Sequence, residues 1–542
     1  MQRDLSALAG QAYDLAIIGG GINGAATARE AALRGLKVAL VDARDFSSGT
    51  SSRSSKLIHG GLRYLEQFSF KLVGESRTER RTLHFLAPHL ARRMPFVLPI
   101  YRGDPYFPLK IRVGLTIYDR LGNLGRADRH RMLSHEEALR MIPALRSEGL
   151  RAAAVYYDSE TDDARLTLEM ILAAAERGAF VANYSEVRAL RAAARGKSGA
   201  IVSAEVEDRL TGRGYELAAR FWVNATGPWV DHVRAFLPGF DGSKTIRLTK
   251  GTHLILPQVS ADDALFAAIR PGDRIFLMLP WHGHALLGTT DTDFDGDPAS
   301  VQPDRADVDY LLAAVNRILR RPLEPRDVLG SFAGLRALAI EPGRSPSANT
   351  REYRFHTEPA IRNFISICGG KLTTARALGQ KLVDHITAQL GAPTGPRQAS
   401  WMTPLPGGNT GPFEDFVCQA TEEARKAFGV PAPIAERIVR TYGSRWRQVL
   451  EPIRETPALA ETLPGNPPLL AVEAAFAIRH EMAENVDDFL LRRSGLNWLA
   501  ASALREAAPA VAAIFAHELG WSAERREASL AAFAQLCLTP SS

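Results

Sequence analysis

The sequence predicts an α/β fold in three parts: a doubly wound domain, an α+β domain and an all-α C-terminal domain. A strand, a glycine turn, a helix and a second strand follow one another within residues 13–42. The middle of the chain mixes helical patterns with β-rich runs, whereas from Phe413 onward Ala, Glu, Arg and Leu predominate, with apolar residues at helical spacing. The length of 542 residues also exceeds what one hydrophobic core supports.

The first unit is a βαβ unit. Residues 13–18 (YDLAII) are an apolar strand, and residues 25–35 (AATAREAALRG) have the composition of a helix that Gly35 ends. Residues 37–42 (KVALVD) are the second strand. This order within about thirty residues is typical of a doubly wound sheet.

The glycine turn between them matches a dinucleotide fingerprint. Gly19 permits the tight turn, Gly21 lets the backbone approach a pyrophosphate, and Gly24 allows close packing of the helix on the sheet. Asp42, at the end of the second strand, is placed to accept hydrogen bonds from an adenosine ribose. The fingerprint predicts a bound dinucleotide but does not distinguish NAD from FAD.

The middle of the chain predicts a second domain with an antiparallel sheet. Helical patterns occur at 134–145, 164–177 and 306–320, and β-rich runs at 185–208, 215–224, 252–257 and 274–288. A last strand, turn and helix follow at 362–390.

The domains are expected to interleave along the chain. Residues 1–395 are assigned to two domains, the doubly wound one from about 10–75, 155–235 and 330–395 and the second from about 76–154 and 236–329. Residues 396–412, rich in Gly and Pro, are the predicted linker, and residues 413–542 are the helical domain. That domain could cap an active site or mediate a homodimer, and both roles remain open.

Composition narrows the class of protein. Hydrophobic residues make up 46% and charged residues 23%, as in ordinary globular proteins. The N-terminus lacks the pattern of a secretory signal, and no apolar run is long enough to cross a bilayer, so a cytoplasmic protein is expected. Cys368, Cys418 and Cys537 form no CxxC and are predicted to be buried thiols.

A basic segment stands out at residues 92–131. It holds nine Lys or Arg against three Asp, an excess that equals the net charge of +6 of the whole chain. Aromatic and aliphatic residues alternate with these charges, which suits a surface that touches anionic lipid headgroups. The alternative is a half-buried sheet with a solvated basic edge. Nucleic acid is not an expected partner, because no binding motif accompanies the charge.

Three further segments favour FAD over NAD. They are TSSRSSKLIHGGLRYLE at 50–66, FWVNATGPW at 221–229 and FISICGGKLTTAR at 364–376. Each ends or follows a strand with a turn that can lie against a cofactor. A cofactor touched near the N-terminus and again some 350 residues later must be long.

With these motifs, and with KGTHLILP at 250–257, GTTDTD at 288–293 and GLRAL at 334–338, the chain resembles the FAD-dependent glycerol-3-phosphate dehydrogenase family. That family lies within the D-amino-acid-oxidase-like flavoproteins. The resemblance implies oxidation of sn-glycerol 3-phosphate to dihydroxyacetone phosphate by hydride transfer to FAD. It also implies a membrane quinone as electron acceptor, with oxygen as the alternative, and peripheral association with the inner face of the cell membrane.

The resemblance implies roles for individual residues. Arg336 and Lys371 are expected beside the flavin, where they also contact substrate, while Arg63, Tyr64 and Arg351 help to hold the substrate. His59 and His253 are the candidates for the group that takes the hydroxyl proton. The residues expected to contact FAD are Gly19, Gly21, Gly24, Asp42, Ser51, Ser52, Lys56, His59, Gly60, Gly61, Ala225, Thr226, Gly227, Gly334, Leu335, Gly370, Lys371, Leu372 and Thr373.

Other interpretations remain open. An amino-acid oxidase of the same fold would need an arginine for a carboxylate, and a flavin-dependent RNA-modifying protein would use the basic segment. His282 and His284 have the spacing of two metal ligands, but their segment is typical of a hairpin turn, so no metal is expected.

Overall fold

The computed structural model describes residues 1, 3–62, 70–104, 106–121, 128–195, 198–260, 263–268, 275–340, 352–391, 395–396, 399–499 and 501–537. The strands in these ranges are β1 (Ala12–Ile18), β2 (Val38–Val41), β3 (Leu57–Ile58), β4 (Arg92–Tyr101), β5 (Arg131–Leu133), β6 (Leu150–Glu160), β7 (Phe180–Ala182), β8 (Ser185–Arg195), β9 (Ser198–Asp208), β10 (Gly214–Asn224), β11 (Ile246–Pro257), β12 (Ala264–Ala268), β13 (Ile275–Trp281), β14 (His284–Gly288), β15 (Thr292–Asp293), β16 (Gly330–Ala339), β17 (Arg354–Glu358) and β18 (Ile361–Cys368).

The α-helices are α1 (Ile22–Leu33), α2 (Phe70–Leu86), α3 (Pro108–Leu121), α4 (His135–Met141), α5 (Asp163–Ala175), α6 (Val230–Arg234), α7 (Arg305–Val315), α8 (Ala375–Leu390), α9 (Ala399–Met402), α10 (Phe413–Phe428), α11 (Ala432–Tyr442), α12 (Trp446–Leu450), α13 (Ala471–Glu481), α14 (Val486–Arg492), α15 (Ala501–Leu519) and α16 (Ala523–Leu536).

The first sheet is the predicted doubly wound sheet. Strands β18, β10, β1, β2 and β7 lie side by side and pair in parallel. Strands β8, β9 and β10 form an antiparallel meander at one side. The buried Leu15, Ile17, Val38 and Leu40 explain why β1 and β2 read as continuous apolar runs, since parallel strands are covered on both faces. The predicted α/β fold class is confirmed.

The second sheet contains ten of the described strands and is antiparallel except where β4 pairs with β12. Strand β11 is central, because it pairs with β14 on one side and with β16 on the other. The domain boundaries expected near residues 155 and 330 fall in or beside β6 and β16, and both strands belong to this second sheet. An apolar run in the sequence predicts a strand, but it does not predict which of two sheets the strand joins.

The helical part, α10 to α16, is tied to the first sheet by buried ion pairs. Arg165 of α5 donates two hydrogen bonds to the carboxylate of Glu481, at 2.8 and 2.7 Å. Asp45, in the loop after β2, accepts hydrogen bonds from Arg492 and Arg493. Because a buried charge without a partner is costly, these pairs fix where the helical part docks.

The segment between the two parts is also packed against the body of the protein. Arg29 of α1 donates to the carbonyl oxygen of Ser400 at 3.0 Å, and Leu405 is buried. A Cβ on Gly408 would lie 2.1 Å from the carbonyl oxygen of Leu86. The described part of the predicted linker is therefore closely packed on the rest of the protein.

The thiol prediction is correct for Cys368 and Cys537, which are buried, and wrong for Cys418, which is exposed. Cys418 lies on α10, whose outer face is polar, and position on a helix face cannot be read from cysteine spacing. None of the helices in the described ranges is long and apolar enough to cross a membrane.

The basic segment at residues 92–131 forms two different structures, a largely buried strand and a helix with an exposed face. Strand β4 is largely buried in the second sheet, whereas α3 exposes apolar side chains one turn apart. The exposed fractions of Leu109, Val113 and Ile117 are 63%, 51% and 42%, and Lys110 and Arg112 are exposed beside them. We call Leu109, Val113 and Ile117 the α3 stripe.

Candidate functional site

A cavity of about 820 Å³ lies at the carboxyl ends of β1, β2 and β10 and extends to β11 and β16 of the second sheet. In open parallel sheets, ligands bind outside these strand ends, where neighbouring connections leave a crevice. The three segments that favour FAD all contribute to its lining.

The glycine turn forms one wall. Gly19 has φ 109°, and a Cβ there would lie 2.8 Å from the carbonyl oxygen of Ala225. Gly19 and Gly21 line the cavity together with Ser51, whose Oγ accepts a hydrogen bond from the Ile22 amide at 2.9 Å. Gly24 does not line it, because it packs α1 on β1: a Cβ there would lie 1.9 Å from the Gly19 oxygen.

Asp42 stands at the end of β2, on the lining. Its Oδ2 accepts a hydrogen bond from the Gly20 amide at 2.6 Å, and its Oδ1 accepts one from the Arg44 amide at 2.9 Å. Burial raises the pKa of Asp42 to about 6, despite those two bonds. Its place is that expected for the ribose acceptor of a dinucleotide.

The turn after β10 supplies Ala225, Thr226 and Gly227 to the lining. Asn224 organises this turn: its Oδ1 accepts from the Thr226 hydroxyl at 2.6 Å, and its Nδ2 donates to the Val230 oxygen at 2.9 Å. In the sequence this turn could be an ordinary strand exit, but the structure makes it a wall of the cavity.

The turn after β18 forms another wall of the cavity. Gly370 has φ 106°, and a Cβ there would lie 2.8 Å from Asn23 of the glycine turn. The Asn23 side chain donates to the Gly369 oxygen at 3.1 Å, so the two turns hold each other. Lys371, Leu372 and Thr373 continue the lining.

Two cationic side chains, Arg336 and Lys371, line the cavity together with His59, Gly334 and Leu335. Arg336 Nη1 lies 3.3 Å from Asp291 Oδ1, and Nη2 donates to the Thr289 hydroxyl at 3.1 Å. Gly251 makes room for the guanidinium, since a Cβ there would lie 2.5 Å from Nη2.

His253 is a buried imidazole on the same lining. Its Nε2 lies 2.8 Å from Ser55 Oγ, and its ring stacks on Phe332 with centroids 4.9 Å apart. Burial, followed by the charges of Arg336 and Lys56, lowers the pKa of His253 to about 3. The ring is therefore neutral, and its Nδ1 has no hydrogen-bond partner among the described residues.

Besides Gly24, three residues expected to contact the cofactor lie outside the lining: Ser52, Lys56 and Gly60. Lys56 is buried and donates to Asp163, to the Ser52 oxygen at 2.6 Å and to Asn497 Oδ1 at 3.2 Å. The Gly60 amide donates to Asp158 at 2.9 Å. These residues shape the loop behind the cavity wall. His59 and Gly61, by contrast, line the cavity.

Arg63, Tyr64 and Arg351, expected at the substrate end, lie outside the described residues. Sequence reasoning overlooked Asn23, Arg53, Ser55, Thr289 and Asp291, which all line the cavity. The signal was present, because each lies inside one of the sequence motifs, but nothing in a motif says which polar side chain faces a cavity.

His282 and His284 flank the predicted hairpin turn. Strand β13 ends at Trp281, β14 begins at His284, and the His284 Nδ1 lies 3.0 Å from the His282 oxygen. In the part of the chain that the structure describes, no group of three or more His, Cys, Asp or Glu side chains is placed to hold a metal.

Known proteins and protein families match almost the whole length of this chain. Residues 14–385 match the family described as FAD dependent oxidoreductase, and residues 401–526 match the C-terminal domain of alpha-glycerophosphate oxidase. Two relatives named aerobic glycerol-3-phosphate dehydrogenase, from Staphylococcus epidermidis and Staphylococcus aureus, are each 35% identical and align over 95% of this chain and 92% of their own.

A solved structure extends the likeness to the whole fold. The glycerol-3-phosphate dehydrogenase from Bacillus halodurans, complexed with FAD, has 29% identity and a TM-score of 0.79 over 99% of this chain and 97% of its own. The chain belongs to the aerobic glycerol-3-phosphate dehydrogenase family of FAD-dependent oxidoreductases.

Proposed function

We propose that the protein oxidises sn-glycerol 3-phosphate to dihydroxyacetone phosphate at FAD and passes the electrons to a membrane quinone. The observation that carries the proposal is that Arg336, Lys371, His59 and His253 line the same cavity as Asp42. A phosphorylated alcohol needs cations at one end and a proton acceptor at the other, and this grouping offers both.

The cavity fits an elongated dinucleotide. Its lining runs from Asp42 past Gly19 and Gly21 to the turn at Gly370, and at Gly19 and Gly370 a Cβ would meet atoms within 3 Å. When bound, FAD supplies a two-electron acceptor for the hydride that leaves the carbinol carbon of the substrate.

Arg336 suits the anionic part of the substrate. Its guanidinium is held by Asp291 and Thr289, so its fork is fixed before the substrate arrives. A fixed fork loses less conformational freedom on binding a phosphate, and it can donate two parallel hydrogen bonds. We propose that Lys371, Arg63 and Arg351 also bind the phosphate of the substrate.

The hydroxyl proton needs an acceptor, for which the candidates are His59 and His253. His253 is neutral, so one of its ring nitrogens donates and the other accepts, and Ser55 Oγ pairs with Nε2. If the Ser55 hydroxyl accepts from Nε2, Nδ1 is a free acceptor for the alcohol. His59 is held through its backbone, whose amide donates to Thr373 Oγ1 at 3.3 Å.

The quinone is a bilayer molecule, so the protein must reach the membrane surface. The α3 stripe, with Lys110, Arg112 and Arg120 exposed around it, combines the apolar and cationic contacts of an interfacial helix. We therefore propose that α3 holds the protein on the inner, anionic face of the cell membrane.

The test is anaerobic reduction of the bound flavin by sn-glycerol 3-phosphate, followed by addition of a quinone analogue or of oxygen. Bleaching of the oxidised flavin band that a quinone analogue reverses is the expected result. If oxygen reoxidises the flavin faster than the quinone analogue does, with release of peroxide, the protein is an oxidase. Protein that contains FAD but is not bleached would overturn the substrate and leave amino acids as the class to test.

A further inference from the structure

The helical C-terminal part reaches the back of the cavity wall through two residues, Asn497 and Trp498. Both follow α14 and are buried. Asn497 Oδ1 accepts a hydrogen bond from Lys56 at 3.2 Å, and the indole of Trp498 lies against Arg53 and Phe332. The proposed function assigns no role to either residue.

Trp498 begins a column of rings that ends in the cavity. The ring centroids of Trp498 and Phe332 are 5.6 Å apart with an interplanar angle of 26°, and those of Phe332 and His253 are 4.9 Å apart at 14°. Phe332 and His253 are direct partners in the pairing of β16 with β11. The orientation of the imidazole is therefore set on one face by a ring that Trp498 supports.

Trp498 also contacts the loop from Arg53 to Lys56. The Arg53 guanidinium lies 5.0 Å from the centre of the Trp498 ring, and its Nη1 donates to the Ala333 oxygen at 3.3 Å. Two residues along, Ser55 Oγ lies 2.8 Å from His253 Nε2. The hydroxyl that pairs with Nε2 of His253 thus belongs to a loop that Trp498 contacts through Arg53.

We propose that Trp498 is a positioning residue for the cavity: it fixes the plane of His253 through Phe332 and the place of Ser55 through Arg53. The helical part is then a structural component of the reaction site. The expected effect on glycerol 3-phosphate rests on the proposed function, whereas the effect on the cavity itself does not.

The experiment compares three variants of the full-length, FAD-loaded protein. Trp498→Leu removes the ring, Trp498→Phe keeps a ring for stacking on Phe332, and Trp446→Leu is the matched control. Trp446 is also buried, but it packs on Phe428 within the helical part, with ring centroids 6.2 Å apart. The readouts are kcat and KM, the absorption bands of the bound flavin, the FAD dissociation constant of the apoprotein and the melting temperature.

We expect Trp498→Leu to lower kcat/KM by about tenfold, since small displacements of reacting groups have large kinetic effects. The flavin bands should shift in the same variant without substrate. Trp498→Phe should stay within about threefold of the parent protein, and Trp446→Leu should lower the melting temperature while leaving kcat/KM and the flavin bands unchanged.

A double variant isolates the path through His253. If Trp498 acts through that ring, adding Trp498→Leu to His253→Gln should shift the flavin bands less than it does in the parent protein. Equal effects of Trp498→Leu and Trp446→Leu, or Trp498→Phe as impaired as Trp498→Leu, would overturn the proposal. Should the flavin not be reduced by glycerol 3-phosphate, the bands and the FAD dissociation constant still decide it, so the failure of either proposal can be recognised separately.

Discussion

Lys56 and Asp163 form a buried ion pair that joins the loop of residues 53–56, beside the cavity, to the first turn of α5. The other carboxylate oxygen of Asp163 accepts from the amide and the hydroxyl of Ser54, at 3.0 and 2.6 Å. One carboxylate therefore holds two neighbouring residues of the loop, immediately before and after Ser55.

Lys56→Met should destabilise the protein strongly. The change leaves the Asp163 charge buried without its cation, a loss of about 3–5 kcal/mol. Lys381→Met is the control, because the Lys381 side chain is 51% exposed and its pair with Glu75 should be worth about 1 kcal/mol or less. Thermal unfolding of the apoproteins measures both. A fall in melting temperature no larger than that of Lys381→Met would show that the loop does not depend on this pair.

Gly24→Ala should abolish tight FAD binding. The new methyl group would lie 1.9 Å from the Gly19 oxygen, so α1 must move away from the glycine turn, whose residues Gly19 and Gly21 line the cavity. Gly74→Ala in α2 is the matched control, since a methyl group added there would have nothing within 4 Å. The measurement is the FAD content of the purified proteins, with titration of the apoproteins. A Gly24→Ala variant that retains full FAD would contradict the close packing of α1.

His253→Gln should reduce the loss of stability in mild acid. The folded-state pKa of about 3 lies below that of a free imidazole, so the unfolded chain binds the proton and stability falls as the pH decreases from about 6.5 towards 3. Between pH 7.5 and 5.5 this term is about 1.4 kcal/mol, which the variant should not show. Melting temperatures at both pH values test it, with His517→Gln, at an exposed position, as control.

Arg336→Lys should reduce kcat/KM for glycerol 3-phosphate by about 10- to 100-fold, because the lysine keeps the charge but loses the fork that Asp291 and Thr289 orient. The rate of anaerobic flavin bleaching at low substrate concentration measures it. Arg326→Lys, at a side chain that is 78% exposed, should behave like the parent protein. A variant that bleaches at the parent rate would remove Arg336 from the substrate site.

Reversing the charges of Lys110, Arg112 and Arg120 to Glu should weaken binding to vesicles that contain phosphatidylserine. Each lost cation costs about 1 kcal/mol at the surface, so the partition coefficient should fall by about a hundredfold or more. Reversing Arg425, Lys426 and Arg447 in the helical part changes the net charge equally and should have a smaller effect. Equal losses would indicate general electrostatics, and unchanged vesicle binding would exclude α3 as the membrane surface.

The sequence predicted the parts of the site that local geometry dictates. Gly19, Gly21 and Asp42 lie on the lining because a turn between two parallel strands places them there whatever the rest of the chain does. Lys56 shows the limit: its motif indicated a cofactor contact, but its ammonium is turned to a residue 441 positions away. Arg53 and Trp498 were overlooked for the same reason, since contacts between distant segments leave no periodic signal in either one.

The ion pairs between Arg165 and Glu481, and between Asp45 and Arg493, also govern how this chain can be recombined with its relatives. A chimera joined within residues 396–412 would keep Asp45 and Arg165 but take the opposing residues from another parent. Unless that parent supplies an acid opposite Arg165 and an arginine opposite Asp45, the buried Asp45 loses both of its arginines, and Arg165 is left with Glu169, at 3.1 Å, as its acidic partner. The two halves must therefore be inherited together, or exchanged along with Asp45 and Arg165.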